Sequence, residues 1–205
     1  MGLYKRDSGR RQWLAMRCWG LPISIITLAG LFAFAGEPGR EWLRYERAGI
    51  AAGEAWRLVT GHLVHLNVSH FALNSAGMAL VWYLVGTYFE LRFWLLLIVM
   101  IVAGIDLGFW VLEPQLAWYV GLSGLLHGIL AAGIVGGIRA KRREAWWLGM
   151  LVMTKLGYEQ LLGPIPGSEE SAGGAVVVAA HLFGAITGAV ASFFIPIRVR
   201  INASI

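Results

Sequence analysis

Residues 93–112 read FWLLLIVMIVAGIDLGFWVL, an apolar run in which Asp106 is the one charged residue. A helix needs about 20 predominantly apolar residues to cross the hydrocarbon core of a bilayer, because each residue advances it by about 1.5 Å. This run has both the length and the composition that such a crossing requires. It therefore predicts a transmembrane helix.

The whole chain has the same apolar character. Of its 205 residues, 58% are hydrophobic and 14% are charged, whereas soluble chains average about 45–50% apolar and about 25% charged residues. That much apolar surface favours the lipid bilayer over water as the solvent of the protein. The single cysteine, Cys18, excludes an intrachain disulfide framework and any cysteine-based zinc site.

Hydropathy along the chain predicts an all-α integral membrane protein with six transmembrane helices, which form a single domain over residues 1–205. The first span ends in Ala33-Phe34-Ala35, which is similar to a signal-peptidase site, so cleavage of this span is an alternative to a permanent anchor. The predicted spans lie near residues 17–35, 68–89, 92–112, 121–138, 145–162 and 175–196.

The net charge of +5 is distributed in short basic clusters between the apolar runs. Because basic loops stay on the cytoplasmic side, this pattern is a topology signal and argues against a nucleic-acid partner. It predicts that both termini are cytoplasmic and that the second, fourth and sixth spans enter the bilayer from the outer side. The clusters comprise Lys5, Arg6, Arg10, Arg11 and Arg17, then Arg139, Lys141, Arg142 and Arg143, then Arg198 and Arg200.

Polar residues within three of the predicted spans are the first candidates for a functional site, because polar groups inside a bilayer are costly. His70 and Asn74 are four residues apart, which places them on one face of the second span. Ser123 lies at the start of the fourth span and His181 lies near the start of the sixth. With the predicted orientation, His70, Ser123 and His181 share a depth of about 3–9 Å from the outer ends of their spans.

Paired glycines predict that the fourth and sixth spans touch. A hydroxyl–imidazole hydrogen bond requires heavy atoms about 2.6–3.2 Å apart, so two helices that form one through short side chains must approach closely. Gly124 and Gly128 form a Gly-xxx-Gly pattern on the fourth span, and Gly184 and Gly188 form another on the sixth. Small residues at this spacing permit close crossing, whether the contact serves catalysis or packing alone.

Together these residues form an ordered pattern that covers most of residues 50–196 and resembles the rhomboid family of intramembrane serine proteases. The pattern consists of Trp56-Arg57, His65, His70, Asn74, Gly121-x-Ser123-Gly124 and His181-x-x-Gly184-x-x-x-Gly188. The resemblance implies a six-helix rhomboid-like bundle with a water-filled cavity open to the outer side. It also implies that Ser123 is the nucleophile and His181 the general base of a two-residue dyad. His70, Asn74 and the backbone amide of Ser123 would bind the oxyanion.

The chemistry of these side chains suits the implied roles. A serine hydroxyl is a poor nucleophile until a base takes its proton, and imidazole is the side chain best suited to that exchange near neutral pH. The predicted function is an intramembrane serine endopeptidase that needs no cofactor or metal. It would cleave single-pass membrane-anchored proteins near the outer face of the bilayer, and the compact form favours the bacterial inner membrane.

Two features differ from typical rhomboids. His127 stands four residues after Ser123, where many rhomboids have an aromatic residue such as Tyr, and the second span is about one turn longer between Asn74 and Gly86. With the short chain and the LSGLLHG sequence around the serine, these features resemble the rhombosortase branch. That resemblance implies removal of C-terminal tails with a Gly-Gly motif and a transmembrane segment. His127 could orient His181 by stacking, compete for the serine proton or line the cavity.

The histidines also permit an interpretation from a different functional class. His70, His127 and His181 on facing helices could bind haem or a metal ion instead. His62 and His65 are predicted to be structural or solvated residues at the rim of the membrane.

Three charged residues within the predicted spans have structural interpretations. Asp106 favours a helix–helix hydrogen bond over a role in polarising a histidine as the acid of a triad. Lys155 and Glu159 are four residues apart on the fifth span and are predicted to pair with each other. The alternative that Lys155 activates the serine is disfavoured, because Lys155 lies nearer the middle of the membrane than Ser123.

Overall fold

The computed structural model describes residues 19–198, and this part of the chain is mainly helical. The basic N-terminal tail, the start of the predicted first span and Arg200 lie outside the described residues. The elements in chain order are α1 (Trp19–Ala33), α2 (Gly36–Leu43), β1 (Tyr45–Glu46), α3 (Arg47–Ala51), α4 (Arg57–Thr60), α5 (Val68–Val85), α6 (Leu91–Leu112), β2 (Trp118–Tyr119), α7 (Ser123–Arg139), α8 (Arg143–Leu162), α9 (Ser168–Ala172) and α10 (Val178–Phe193).

Each predicted span overlaps one of the long helices, which are α1, α5, α6, α7, α8 and α10. Two of these described helices, α5 with 18 residues and α6 with 22, are long and apolar enough by themselves to cross a bilayer. Helices α7 and α10 are apolar but have 17 and 16 residues, and α8 carries more polar side chains. The count of six spans therefore stays a prediction, although a helix lies at every predicted position.

The second and sixth predicted spans extend beyond the ends of their helices. The second helix ends at Val85 instead of residue 89, and Gly86 caps it. Hydropathy extends the span because Tyr88 and Phe89 are also hydrophobic, but the Phe89 ring lies in the turn and packs against Trp94 at 5.1 Å between centroids. The last helix begins at Val178 and ends at Phe193 instead of covering residues 175–196.

The outward surface of the long helices is apolar. Large aliphatic and aromatic side chains point away from the bundle on α5, α6, α8 and α10, which is the arrangement expected of helices that face lipid. Examples are Leu80, Tyr83, Val99, Leu107, Trp147, Leu151, Met153, Ile186 and Val190.

Helix α7 lies at the centre of the bundle and packs most closely against α10. A Cβ atom on Gly184 would collide with the backbone carbonyl of Gly124, and one on Gly188 would collide with that of Gly128. The predicted contact between these two helices is confirmed. It depends on the glycines, because the backbones themselves touch.

We expect Gly188→Ala to destabilise the protein by about 1–3 kcal/mol, because a methyl group there overlaps backbone atoms that cannot move aside. Gly157→Ala is the matched control, since a Cβ at Gly157 meets no atom within 4 Å. That change is expected to be neutral or slightly stabilising, because alanine favours helix more than glycine. Thermal unfolding of both variants in detergent measures the difference, and equal melting temperatures would contradict the packing argument.

The segment between α1 and α5 is ordered by two arginines. The buried Arg57 donates hydrogen bonds to the carbonyl oxygens of Glu41 at 2.8 Å and Arg44 at 3.0 Å. Arg47 donates to the carbonyl of Leu116 at 3.2 Å, beyond the end of α6. These bonds fix the segment against the bundle.

A short strand pair connects this segment to the start of α7. Tyr45 of β1 pairs with Tyr119 of β2 in an antiparallel register, an addition that the all-α prediction did not include. Two further bonds continue the connection, from the Gly121 amide to the Gly61 carbonyl at 3.1 Å and from the Tyr119 hydroxyl to the Gly121 carbonyl at 2.5 Å. The pair therefore holds the residues that immediately precede Ser123.

Candidate active site

Ser123 is the first residue of α7, and the turn before it requires glycine. Gly121 has a φ angle of +129°, in a region that residues with a Cβ rarely adopt. A Cβ at this position would also lie 3.0 Å from Cε1 of His70. Burial raises the pKa of Tyr119, so its hydroxyl stays protonated and can donate to the Gly121 carbonyl. The turn thus holds Ser123 beside α5.

His181 on α10 reaches the serine from the opposite helix. Its Nε2 atom lies 3.0 Å from Oγ of Ser123, and its side chain is buried. The close approach of α7 and α10 through Gly124 and Gly184 makes this distance possible. A hydroxyl within hydrogen-bond distance of an imidazole is the arrangement that activates a serine nucleophile.

A carboxylate occupies the other side of the imidazole. Nδ1 of His181 lies 2.9 Å from Oε2 of Glu159 on α8, and Glu159 is buried. Nζ of Lys155, one helical turn away, lies 2.7 Å from the same oxygen. The predicted pairing of Lys155 with Glu159 is confirmed, but the contact between Glu159 and His181 was missed. The sequence feature that could have indicated this contact is an acidic residue inside a predicted span, where a charged group needs a partner or a function.

His127 stacks on the imidazole of His181. The two ring centroids lie 4.2 Å apart and the ring planes differ by 21°. Nδ1 of His127 lies 2.7 Å from the carbonyl oxygen of Ser123, so Nδ1 carries the proton and donates it to that carbonyl. This geometry agrees with two of the roles predicted for His127, which are stacking on His181 and lining the cavity. The third role was competition for the serine proton, but Nδ1 of His127 faces a backbone carbonyl instead of the serine hydroxyl.

Two polar side chains of α5 complete the site from a third helix. Asn74 is buried, and its amide nitrogen Nδ2 has no hydrogen-bond partner among the described residues. Nδ1 of His70 accepts a long hydrogen bond of 3.4 Å from the backbone amide of Leu66, which leaves the proton on Nε2. Both side chains therefore hold N–H groups available to a bound anion.

All of these side chains line one cavity of about 250 Å³. Its lining comes from α5, α7, α8 and α10, together with residues of α9 and of the loops beside it. The candidate residues that line it are His70, Asn74, Ser123, His127, Lys155, Glu159 and His181. The structure thus gathers every predicted site residue at a single place.

The sequence model of one protein family, the rhomboid domain, matches residues 52–198 of this chain. The match covers more than two thirds of the chain. The chain belongs to the rhomboid family. Rhomboids are intramembrane serine proteases that act on membrane-anchored substrates, so the match supports this general activity and a location in a membrane. No curated protein sequence matches the chain.

Two other histidines of this rhomboid, His62 and His65, do not line the cavity. His62 is fully buried, with Nε2 at 3.2 Å from Oδ1 of Asp106. Asp106 therefore makes an inter-element hydrogen bond to His62 and has no bond to His181, and His62 is structural instead of solvated. His65 packs edge-on against the ring of His70, with centroids 5.0 Å apart. Burial, together with the neighbouring His70, lowers the pKa of His65 to about 4, so it is neutral at neutral pH.

The same cavity contains groups of the kind that bind metals. Donor atoms of His127, Glu159 and His181 all lie within 4.8 Å of one another. Each of these residues already has a protein partner at 2.7–2.9 Å, and a metal ion on His181 would displace Ser123 or Glu159. Among the described residues, His70 is not part of this cluster, so the predicted histidine trio does not converge on one point.

Proposed function

We propose that this rhomboid is a serine endopeptidase in which Ser123 is the nucleophile and His181 the general base. The 3.0 Å separation of Ser123 Oγ and His181 Nε2 carries this proposal. The proton of the hydroxyl passes to Nε2 as Oγ attacks the carbonyl carbon of the scissile bond. The imidazolium then donates that proton to the leaving amine, which releases the first product and leaves an acyl ester on Ser123. Water, activated by His181 in the same way, hydrolyses the ester.

We propose that the oxyanion formed on attack is bound by the side chains of Asn74 and His70 and by the backbone amide of Ser123. The unpartnered Nδ2 of buried Asn74 supports this assignment, because a buried donor without a partner is costly unless a ligand uses it. The Nε2–H group of His70 is a second donor on the same helix. His127 would hold the ring of His181 in its orientation by stacking.

The proposed topology is a single domain over residues 1–205 with six spans and both termini in the cytoplasm. The basic clusters on alternate connections support this orientation. The site then opens toward the periplasmic side of a bacterial inner membrane. At that depth water can reach the acyl ester, as hydrolysis requires.

We propose that the substrates are single-pass membrane proteins with a Gly-Gly site next to a C-terminal transmembrane segment, as in the rhombosortase branch. The LSGLLHG sequence around Ser123, with His127 four residues after the serine, supports this narrower assignment. Glycine disfavours helix, so a Gly-Gly pair leaves its peptide bonds accessible for attack where a helix would shield them.

The first test is labelling of the detergent-purified protein with a fluorophosphonate probe, which reacts with activated serines. We expect the wild type to be labelled and Ser123→Ala and His181→Ala to remain unlabelled, because one lacks the nucleophile and the other its base. Labelling of Ser123→Ala equal to wild type would overturn the assignment. A haem absorbance band in purified protein, or metal that depends on His127 and His181, would instead favour the alternative of a histidine-based cofactor protein.

A further inference from the structure

The carboxylate of Glu159 lies where the acid of a catalytic triad would lie. We propose that Glu159 is a positioning residue that fixes the tautomer and orientation of His181, so that Ser123, His181 and Glu159 act as a three-membered unit. This inference rests on the proposed roles of Ser123 and His181. It differs from the two-residue dyad that the sequence pattern implies.

The hydrogen-bond geometry assigns the proton on each side of the imidazole. An ionised carboxylate only accepts hydrogen bonds, so the 2.9 Å contact with Oε2 of Glu159 places the proton of neutral His181 on Nδ1. The lone pair of Nε2 then faces Oγ of Ser123 at 3.0 Å. This is the tautomer that a general base needs, and the other tautomer would present an N–H to the hydroxyl.

The neighbourhood of Glu159 keeps it an acceptor. Glu159 is 3% exposed, and a buried acid without a counter-charge would favour its neutral, protonated form. Nζ of Lys155 at 2.7 Å supplies the counter-charge from the same helix. The Lys155 side chain is partly exposed, and its ion pair is with Glu159. Lys155 thus stabilises the carboxylate, and the carboxylate orients the imidazole.

The proposed reaction leaves Glu159 unprotonated throughout. When the Ser123 proton reaches Nε2, His181 becomes a cation whose Nδ1–H still donates to Glu159, and the negative carboxylate stabilises it. Lys155 opposes part of that effect, because its positive charge lies beside the same carboxylate. The contribution of Glu159 is therefore expected to be smaller than that of an unpaired acid.

If Glu159 only formed a structural ion pair with Lys155, its loss would lower stability without a specific effect on catalysis. Three variants of the protein distinguish this structural role from the proposed positioning role. Glu159→Gln removes the negative charge but leaves the Lys155 cation. K155M/E159Q removes both charges at nearly constant volume, and Glu159→Ala leaves space for a small carboxylate. Cleavage of a membrane-anchored substrate is measured as kcat and KM separately, with thermal unfolding measured alongside.

We expect Glu159→Gln to lower kcat by about 10- to 100-fold with KM little changed. K155M/E159Q should fall between Glu159→Gln and wild type, because it also removes the cation that would repel protonated His181. Added formate should raise kcat of Glu159→Ala and leave Ser123→Ala inactive. Rescue by formate is a readout that a structural role would not produce.

The proposal is overturned if kcat stays at the wild-type value in both Glu159→Gln and Glu159→Ala. It is also overturned if kcat of Glu159→Ala falls only in parallel with thermal stability and formate does not restore it. Absence of Ser123-dependent cleavage in the wild type itself would instead refute the proposed function, so the two failures are distinguishable.

Discussion

Ser123→Ala and His181→Ala are each expected to lower kcat for cleavage of a membrane-anchored substrate by about 10⁶-fold, and the double variant should lose no more. The reason is that Oγ and Nε2, 3.0 Å apart, perform one step together. Without the base the hydroxyl keeps its proton, and without the hydroxyl the base has nothing to activate. The measurement is cleavage in proteoliposomes of a substrate with a Gly-Gly site before its transmembrane segment.

Ser192→Ala provides the matched control for this experiment. Ser192 is a buried serine of α10 outside the cavity, and its hydroxyl donates to the Ala189 carbonyl at 2.8 Å. Its loss should cost about 1 kcal/mol of stability and leave kcat unchanged. Losses in Ser123→Ala and His181→Ala that multiply in the double variant would show that the two residues act independently and would count against the dyad.

The sequence predicted the helical segments and the contact between α7 and α10 because both depend on local patterns. Apolar runs of about 20 residues define the segments, and paired glycines at a spacing of four define a close crossing. Lys155 and Glu159 were also predictable, because residues four apart on a helix are neighbours. The end of α5 was not, because hydropathy does not separate the last turn of a helix from an apolar loop.

Side-chain contacts between different helices were the feature of the structure that was hardest to predict from the sequence. Periodicity places Glu159 on a face of α8, but the rotation and depth of α8 relative to α10 decide whether that face meets His181. Asp106 illustrates the same limit, since its partner proved to be His62 from the segment before α5. The strand pair between Tyr45 and Tyr119 was missed because two residues are too few for a pattern of alternation.

Asn74→Leu is expected to lower kcat by about 10²–10³-fold. This is the usual effect of removing one oxyanion donor, and it corresponds to a rise of about 2.7–4 kcal/mol in the activation barrier. Leucine has a similar volume and removes the amide. The thermal midpoint should change little, because Nδ2 of Asn74 has no hydrogen-bond partner in the described part of the chain and losing an unsatisfied buried donor is not destabilising. Steady-state kinetics and thermal unfolding of the same preparation provide both values.

Asn74→Asp sharpens this test because it keeps the shape of the side chain and replaces the N–H donor with a carboxylate. A negative charge at the oxyanion position opposes the charge that develops there, so the loss of kcat should be at least as large as in Asn74→Leu. KM should change less than kcat in both variants, since the interaction forms only in the transition state. Loss of kcat in proportion to loss of stability would indicate that Asn74 supports the packing of α5 and α7, and its assignment to the oxyanion would then fail.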